Sequence, residues 1–294
     1  VAVSVGSVVY TGILNSRGTY EADVTITRTG EEEFLWVTSS ASVMRDASWI
    51  RRHIEPAMRV EVVDVSSAYA VLGVMGPRSR ELLQRVSSAD LSDEGFPFAT
   101  SRLIDVGFAT VRSTRITYVG ELGWELYVPA EFAEGVYDLL HANGADLGLV
   151  NAGYYAINAL RLDKGYRAFG PELNPDFGPR AAGLMFACKE GIDYLGRDAV
   201  DRSRAQAPER RLMSLVLDDP EPMLWGGELV LRDGEAVGQV ASAAWSATLG
   251  SCVALAYLRS PEPGPGYEVR VGGRSYPATA SLRAPYPGRD RVTK

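Results

Sequence analysis

The chain has 294 residues, 46% of them hydrophobic, with a formal net charge of −7. That content suits one large or two medium domains, and an acidic balance without a basic stripe excludes nucleic acid as the main partner. No apolar run is long enough to span a bilayer as a helix, so no membrane partner is expected.

Cys188 and Cys252 stand far apart and form neither a metal spacing nor a disulfide framework, which fits a reduced, cytoplasmic protein. With His53 and His141 as the only histidines, a His-based triad or His-rich metal site is not expected. The opening VAVSVGSVVY has no charged leader pattern and no initiating methionine, and it runs almost directly into a strand. A piece of a longer chain is therefore expected.

Residues 8–28 read as a hairpin, with Asn15-Ser16-Arg17-Gly18 as the turn. In its second run Ala22, Val24 and Ile26 share one face, and Asp23, Thr25 and Thr27 the other. Aspartate is depleted in strand interiors; Asp23 is either a solvated carboxylate on an exposed face or a functional acid. Residues 34–38 form a strand, and the serines at 39–42 make a plausible helix cap. Val43, Ala47, Ile50 and Ile54 then recur at helical spacing until Pro56 ends the helix. Residues 69–74 read as a strand and Gly76-Pro77 opens a helix with Leu82, Leu83 and Val86 buried.

A second hairpin pattern occupies residues 112–129. A strand runs to about Val119, a turn spans Gly120 to Gly123, and a return strand covers residues 124–128. Tyr118 stands on the incoming strand and Glu125 lies between Trp124 and Leu126. A buried charge without a partner is costly. An arginine of the fold or a ligand with N–H donors would both serve Glu125, and the residues leave both open. Pro129 starts a helix striped with Phe132, Val136, Leu139 and Leu140. The pattern is α+β with antiparallel hairpins; Gly73-Val74-Met75-Gly76 lacks the third glycine and following acid of a dinucleotide fingerprint.

A helix is expected at residues 152–165, an irregular Gly/Pro stretch at 166–179 and a polar linker at 202–211. Strands at 212–217, 228–232, 236–241, 252–258 and 267–271, with Asp233-Gly234 and Gly272-Gly273 turns, make a small β-barrel-like domain. Two parts are expected, residues 1–201 and residues 209–294.

Six segments in order carry a family resemblance: LNSRGTYEADVTITR, VLGVMGPRSRELL, TRITYVGELGWELYVP, NALRLDKGYRAFGPEL, YLGRDAV and VGQVASAAWSATLGSCVALAYL. Together they resemble the glycine-cleavage T-protein (aminomethyltransferase) superfamily. LRLDKGYRAFG points to the folate-binding C-terminal part of dimethylglycine and sarcosine dehydrogenases. The resemblance implies an α+β folate-binding part followed by a C-terminal β-barrel-like domain, and tetrahydrofolate as cofactor. The implied activity is transfer of a one-carbon unit to tetrahydrofolate from an N-methyl or aminomethyl donor.

Residue by residue, the resemblance makes Asp23 the catalytic acid and Glu125 the acid that hydrogen-bonds the pterin. Tyr10 and Tyr118 become aromatic pocket positions, and Thr38 lies where the pocket strand passes the cofactor. No flavin fingerprint is present, so FAD is expected only on a separate domain or partner. The expected partners are a small-molecule one-carbon donor and a flavin oxidoreductase domain or subunit. An N-terminal family segment before the Tyr10 strand is missing, so that segment is a further expected partner.

Departures from the family pattern narrow the branch. Thr19 replaces a glycine, Ile157 replaces an arginine of true T-proteins, and Trp245 replaces a tyrosine or small residue. Lys164-Gly165-Tyr166 lacks the cysteine of relatives that serve iron–sulfur cluster maintenance. A free-standing aminomethyltransferase, a folate-dependent demethylase and a non-catalytic folate-binding subunit remain the alternatives.

Overall fold

The computed structural model describes residues 2–259 and 261–286. Residues 287–294, the end of the second expected part, lie outside the described residues. The chain divides into two compact units. One holds the stretch up to Thr11 and Val24–Asn151; the other holds Gly12–Asp23 and the chain from Ala152 onward.

The strands β1 (Val8–Leu14), β2 (Tyr20–Arg28) and β3 (Phe34–Val37) form a sheet in the order β1-β2-β3. The turn between β1 and β2 closes as its sequence predicts. Gly18 N donates to Asn15 O at 2.9 Å, the Asn15 side-chain oxygen accepts from Arg17 N at 2.9 Å, and Gly18 takes φ +74°. Along β2, Tyr20, Ala22, Val24 and Ile26 are buried and Asp23 is half-buried.

Helix α1 (Val43–Arg52) follows a short 3-10 turn at Ser40–Ser42, and neither serine at its start makes a side-chain cap. The expected serine cap is replaced by backbone: Ser42 N donates to Ser39 O at 2.8 Å. A four-stranded antiparallel sheet then forms from β4 (Tyr69–Met75), β5 (Ser101–Val106), β6 (Ala109–Thr114) and β7 (Gly123–Pro129), in the order β4-β7-β6-β5. Helices α2 (Ser79–Val86) and α3 (Ala133–Gly144) cover one face of it. There Val74, Ile104, Val111, Trp124 and Leu126 pack with Leu82, Leu83 and Leu140. The other face carries Tyr69 and Val71 of β4 beside Tyr127 and Glu125 of β7, with Glu125 opposite both Gly73 and Thr114.

The second hairpin corrects one expectation. The incoming strand ends at Thr114, not near Val119, so Tyr118 sits in the connecting segment. Just past the strand end, the Arg115 side chain turns inward, only 2% exposed, to Phe96 O at 2.7 Å and Asp93 at 2.6 Å. Its backbone N–H goes to Thr100 O at 2.9 Å. The Thr117 hydroxyl then accepts from Gly120 N at 3.0 Å, which bends the chain toward β7. Gly123 is required at the start of β7, since a Cβ there would overlap Val74 O and Met75.

In the second unit, α4 (Tyr154–Asp163), the short α5 (Pro179–Ala182) and α6 (Arg197–Arg204) precede the barrel. Arg161 of α4 and Glu172 form an ion pair at 2.9 Å, with side chains 2% and 0% exposed. Glu172 also accepts from Ala168 N at 2.8 Å, and its carbonyl accepts from the Tyr257 hydroxyl at 2.7 Å. This pair folds the irregular Gly/Pro stretch back onto α4. The hairpin tip supplies Leu14 and Tyr20 to a small core with Leu173, Ala182, Leu184 and Val200.

Six strands close the barrel: β8 (Arg210–Leu217), β9 (Leu229–Arg232), β10 (Glu235–Ser246), β11 (Ser251–Arg259), β12 (Gly264–Val271) and β13 (Arg274–Ser281). Their order is β10-β11-β8-β13-β12-β9. β13 was absent from the sequence reading. RSYPATAS has small and polar residues and a proline, and Pro277 is tolerated because its carbonyl, accepting from Asp218 N at 3.0 Å, is the group the pairing uses. The α+β class and the C-terminal barrel are as the sequence indicates.

Candidate functional site

The face of the four-stranded sheet away from α2 and α3 is where an acid meets a cavity. Glu125 and Tyr127 are two residues apart on β7, so both side chains point to that face. The Tyr127 hydroxyl donates to Glu125 Oε2 at 2.6 Å. Burial pushes the Glu125 carboxyl above the usual range, and the Tyr127 hydrogen bond acts against that rise. Burial, followed by the neighbouring Glu125 charge, pushes the Tyr127 phenol well above its ordinary value. The sequence weighed an arginine or a ligand as partner to Glu125; the fold supplies a phenol from the same strand face. The signal was present in the i, i+2 spacing.

Tyr127 also lines a cavity of about 290 Å³ in the first unit, with β3, α1 and β4 around it. The apolar stripe of α1 faces this space: Val43, Ala47 and Ile50 all line it, and the residue of α1 that is buried is Asp46. A helix stripe of this kind reads as core in a sequence; here it walls a cavity. The Thr38 hydroxyl donates to Asp46 Oδ2, and Arg45 reaches Asp46 Oδ1 at 2.8 Å. These bonds tie the end of β3 to α1. Trp36 and residues 62–66 complete the wall, held on one side by the Arg51 guanidinium at 3.1 Å from Val62 O.

Thr38 lines the cavity, and Glu125 adjoins it through Tyr127. Tyr10, 51% exposed, and Tyr118, 38% exposed, belong to the first unit but are not part of the cavity wall. Asp23 is half-buried on β2 and belongs to the second unit. Its strand neighbour Tyr20 has a phenol raised by burial and by the Cys188 charge, opposed by Arg167 and further raised by Asp23. No group of three or more His, Cys, Asp or Glu able to hold a metal ion is present among the described residues. No helix among them is long and apolar enough to cross a membrane. The sequence reading missed Tyr127, Asp46 and the α1 wall.

One titration follows from this geometry. Replacing Tyr127 by Phe removes the hydrogen bond that holds the Glu125 carboxyl down. The Glu125 midpoint, followed by carboxyl NMR against pH, moves further upward in Tyr127→Phe; an unchanged or lowered midpoint contradicts the pairing.

The profile of the GCVT N-terminal domain matches residues 1–191, and that of the glycine cleavage T-protein C-terminal barrel domain matches residues 210–287. The chain belongs to the glycine cleavage T-protein family. Within this family it is 40% identical over 288 residues to 4-methylaminobutanoate oxidase (formaldehyde-forming) of Paenarthrobacter nicotinovorans, covering 97% of this chain and 35% of that protein. It is 37% identical over 315 residues to mitochondrial sarcosine dehydrogenase of Mus musculus, covering 98% of this chain and 34% of that one. It is 32% identical over 275 residues to the aminomethyltransferase of Symbiobacterium thermophilum, covering 92% and 73%.

The T-protein-family chain thus spans about a third of the length of the oxidase and dehydrogenase it resembles. The crystal structure of glycine cleavage system aminomethyltransferase T from Bartonella henselae superposes with a TM-score of 0.87. That match has 22% identity and covers 100% of this chain and 79% of the other, which establishes the T-protein fold.

Proposed function

We propose that this chain is a tetrahydrofolate-dependent one-carbon transfer module of a dimethylglycine- or sarcosine-dehydrogenase-like system. It takes a methylene or methyl unit from an N-methyl or aminomethyl donor. FAD is assigned to a separate domain or partner, where the N-methyl amine is oxidised. The folate-binding part is assigned to residues 1–201 and the barrel to residues 209–294.

The observation that carries this reading is the Glu125–Tyr127 pair at the edge of an apolar-walled cavity. Trp36, Val43, Ile50 and Tyr69 offer flat or apolar area to a ring, and a carboxylate accepts N–H groups in charge-assisted hydrogen bonds. That donor set fits a pterin. Tetrahydrofolate, when bound, supplies the nucleophilic nitrogen that receives the one-carbon unit. Glu125 accepts the ring N–H and fixes its orientation; Tyr127 holds Glu125; Thr38, Tyr10 and Tyr118 are assigned to the pocket. Asp23 is assigned to orient the donor amine, take its proton and stabilise the positive charge that develops.

The test is calorimetric titration of the 294-residue chain with folinic acid, a stable reduced folate. Micromolar binding is expected, and Glu125→Ala is expected to weaken it by about 2 kcal/mol or more, the scale of a hydrogen bond to a charged group. Unchanged affinity in Glu125→Ala removes that residue from the pocket, and no binding by the folded chain removes the folate reading. A free-standing aminomethyltransferase is the second reading, favoured by the alignment that covers 73% of the Symbiobacterium enzyme.

A further inference from the structure

Two hydroxyls on the wall of the first unit's cavity have their hydrogen-bonding polarity set before any ligand arrives. Thr38 lines it, and the Thr38 hydroxyl proton is given to Asp46, which is 3% exposed. Tyr127 lines it, and the phenol proton is given to Glu125. Ser66 also lines it, and its backbone N–H donates to the Asp64 carboxylate at 2.9 Å. A hydroxyl has one proton and two lone pairs. Once the proton is committed to a carboxylate, only acceptance is left for anything else that approaches. Asp46 and Asp64 line the space themselves, and no lysine, arginine or histidine does. The donors the wall retains include the Trp36 indole N–H, buried without a partner among the described residues, and the Ser40 and Tyr69 hydroxyls.

Asp46 is paired with Arg45 at 2.8 Å, so the discrimination lies in the Thr38 and Tyr127 hydroxyls and not in net charge. Such a wall penalises a ring that brings acceptors to Thr38 or Tyr127, since two lone pairs then face each other. It rewards a flat apolar body with N–H groups along one edge. We infer that this cavity selects ring systems with an N–H donor edge over their oxygen-substituted counterparts, with Thr38 and Tyr127 as the specificity-determining residues. The inference rests on the reading above that the site holds a pterin, and deepens it by stating which feature of the ring is read and by which hydroxyls.

Two probe pairs test it on the intact chain by calorimetry. Pterin and lumazine share one bicycle and differ by an amino or oxo group at one carbon. 2-Aminoquinoline and 2-methoxyquinoline repeat the contrast on a ring that is not a folate fragment. In at least one pair the amino probe binds about tenfold or more tightly, the discrimination expected when a buried acceptor would otherwise be left unpaired. That ratio falls to about threefold or less in Thr38→Val or in Tyr127→Phe; the two variants act at different walls, so one that unfolds does not void the other.

Equal or reversed affinities in both pairs, no binding of any probe, or a ratio untouched by the folded variants overturns the inference. The pterin reading fails separately. A preference among the quinolines with no pterin binding keeps the selectivity and removes the folate assignment, while pterin and lumazine binding with equal affinities in both probe pairs keeps the folate assignment and removes the selectivity.

Discussion

Glu172→Ala is expected to destabilise the second unit by about 3–5 kcal/mol, the cost of leaving one half of a buried ion pair without its partner. The Arg161 guanidinium is 2% exposed, and its Nη1 donates to Glu172 at 2.9 Å and to Tyr166 O at 2.9 Å. Without the carboxylate it keeps a buried charge that water cannot reach. Ala168 N loses its acceptor at the same time. Urea unfolding should show the transition of the variant at markedly lower denaturant. The double variant Arg161→Met with Glu172→Leu should recover a large part of the loss, because removing both charges removes the penalty. A single variant within about 1 kcal/mol of the parent would show that the pair is not the anchor described here.

The second large effect concerns chemistry. Asp23→Asn keeps the size of the side chain on β2 but cannot take a proton. If Asp23 serves as the proposed acid–base group, transfer to tetrahydrofolate should fall by about 10²–10⁴, the usual range for a positioned proton-transfer group. Folinic acid affinity should stay within a few-fold, since Glu125 and the apolar cavity wall are untouched. Single-turnover assays with saturating folate separate the two quantities. Full transfer activity with folate bound would return Asp23 to the other reading, a solvated carboxylate on a strand.

Where a short sequence pattern has one physical solution, it was legible. Asn15 to Gly18 closes a hairpin because Asn bonds its own backbone and Gly accepts positive φ. Asp233-Gly234 takes φ of +53° and +80°, as a tight hairpin between β9 and β10 requires. What stayed hidden depended on distant contacts. Arg115 looks like a strand residue until Asp93 and Phe96 O draw it inward. The α1 stripe has the period of a core helix, and nothing local says that its apolar face borders a cavity. Glu125 announced that it needed a partner; that the partner is Tyr127 follows only once the sheet face is known to be half-buried.

The hairpin tip has a consequence for synthesis. Leu14 and Tyr20 pack with Leu173, Ala182, Leu184 and Val200, and Tyr20 N donates to Phe177 O at 3.2 Å. On a ribosome, the first partners of this tip emerge roughly 150 residues after it, which at about 5–20 residues per second leaves it waiting on the order of ten to thirty seconds. Through that interval a leucine and a tyrosine are presented to solvent or to a chaperone. Slowing elongation just before residue 173 should lengthen that exposure and lower soluble yield, whereas a pause placed after α6 should not.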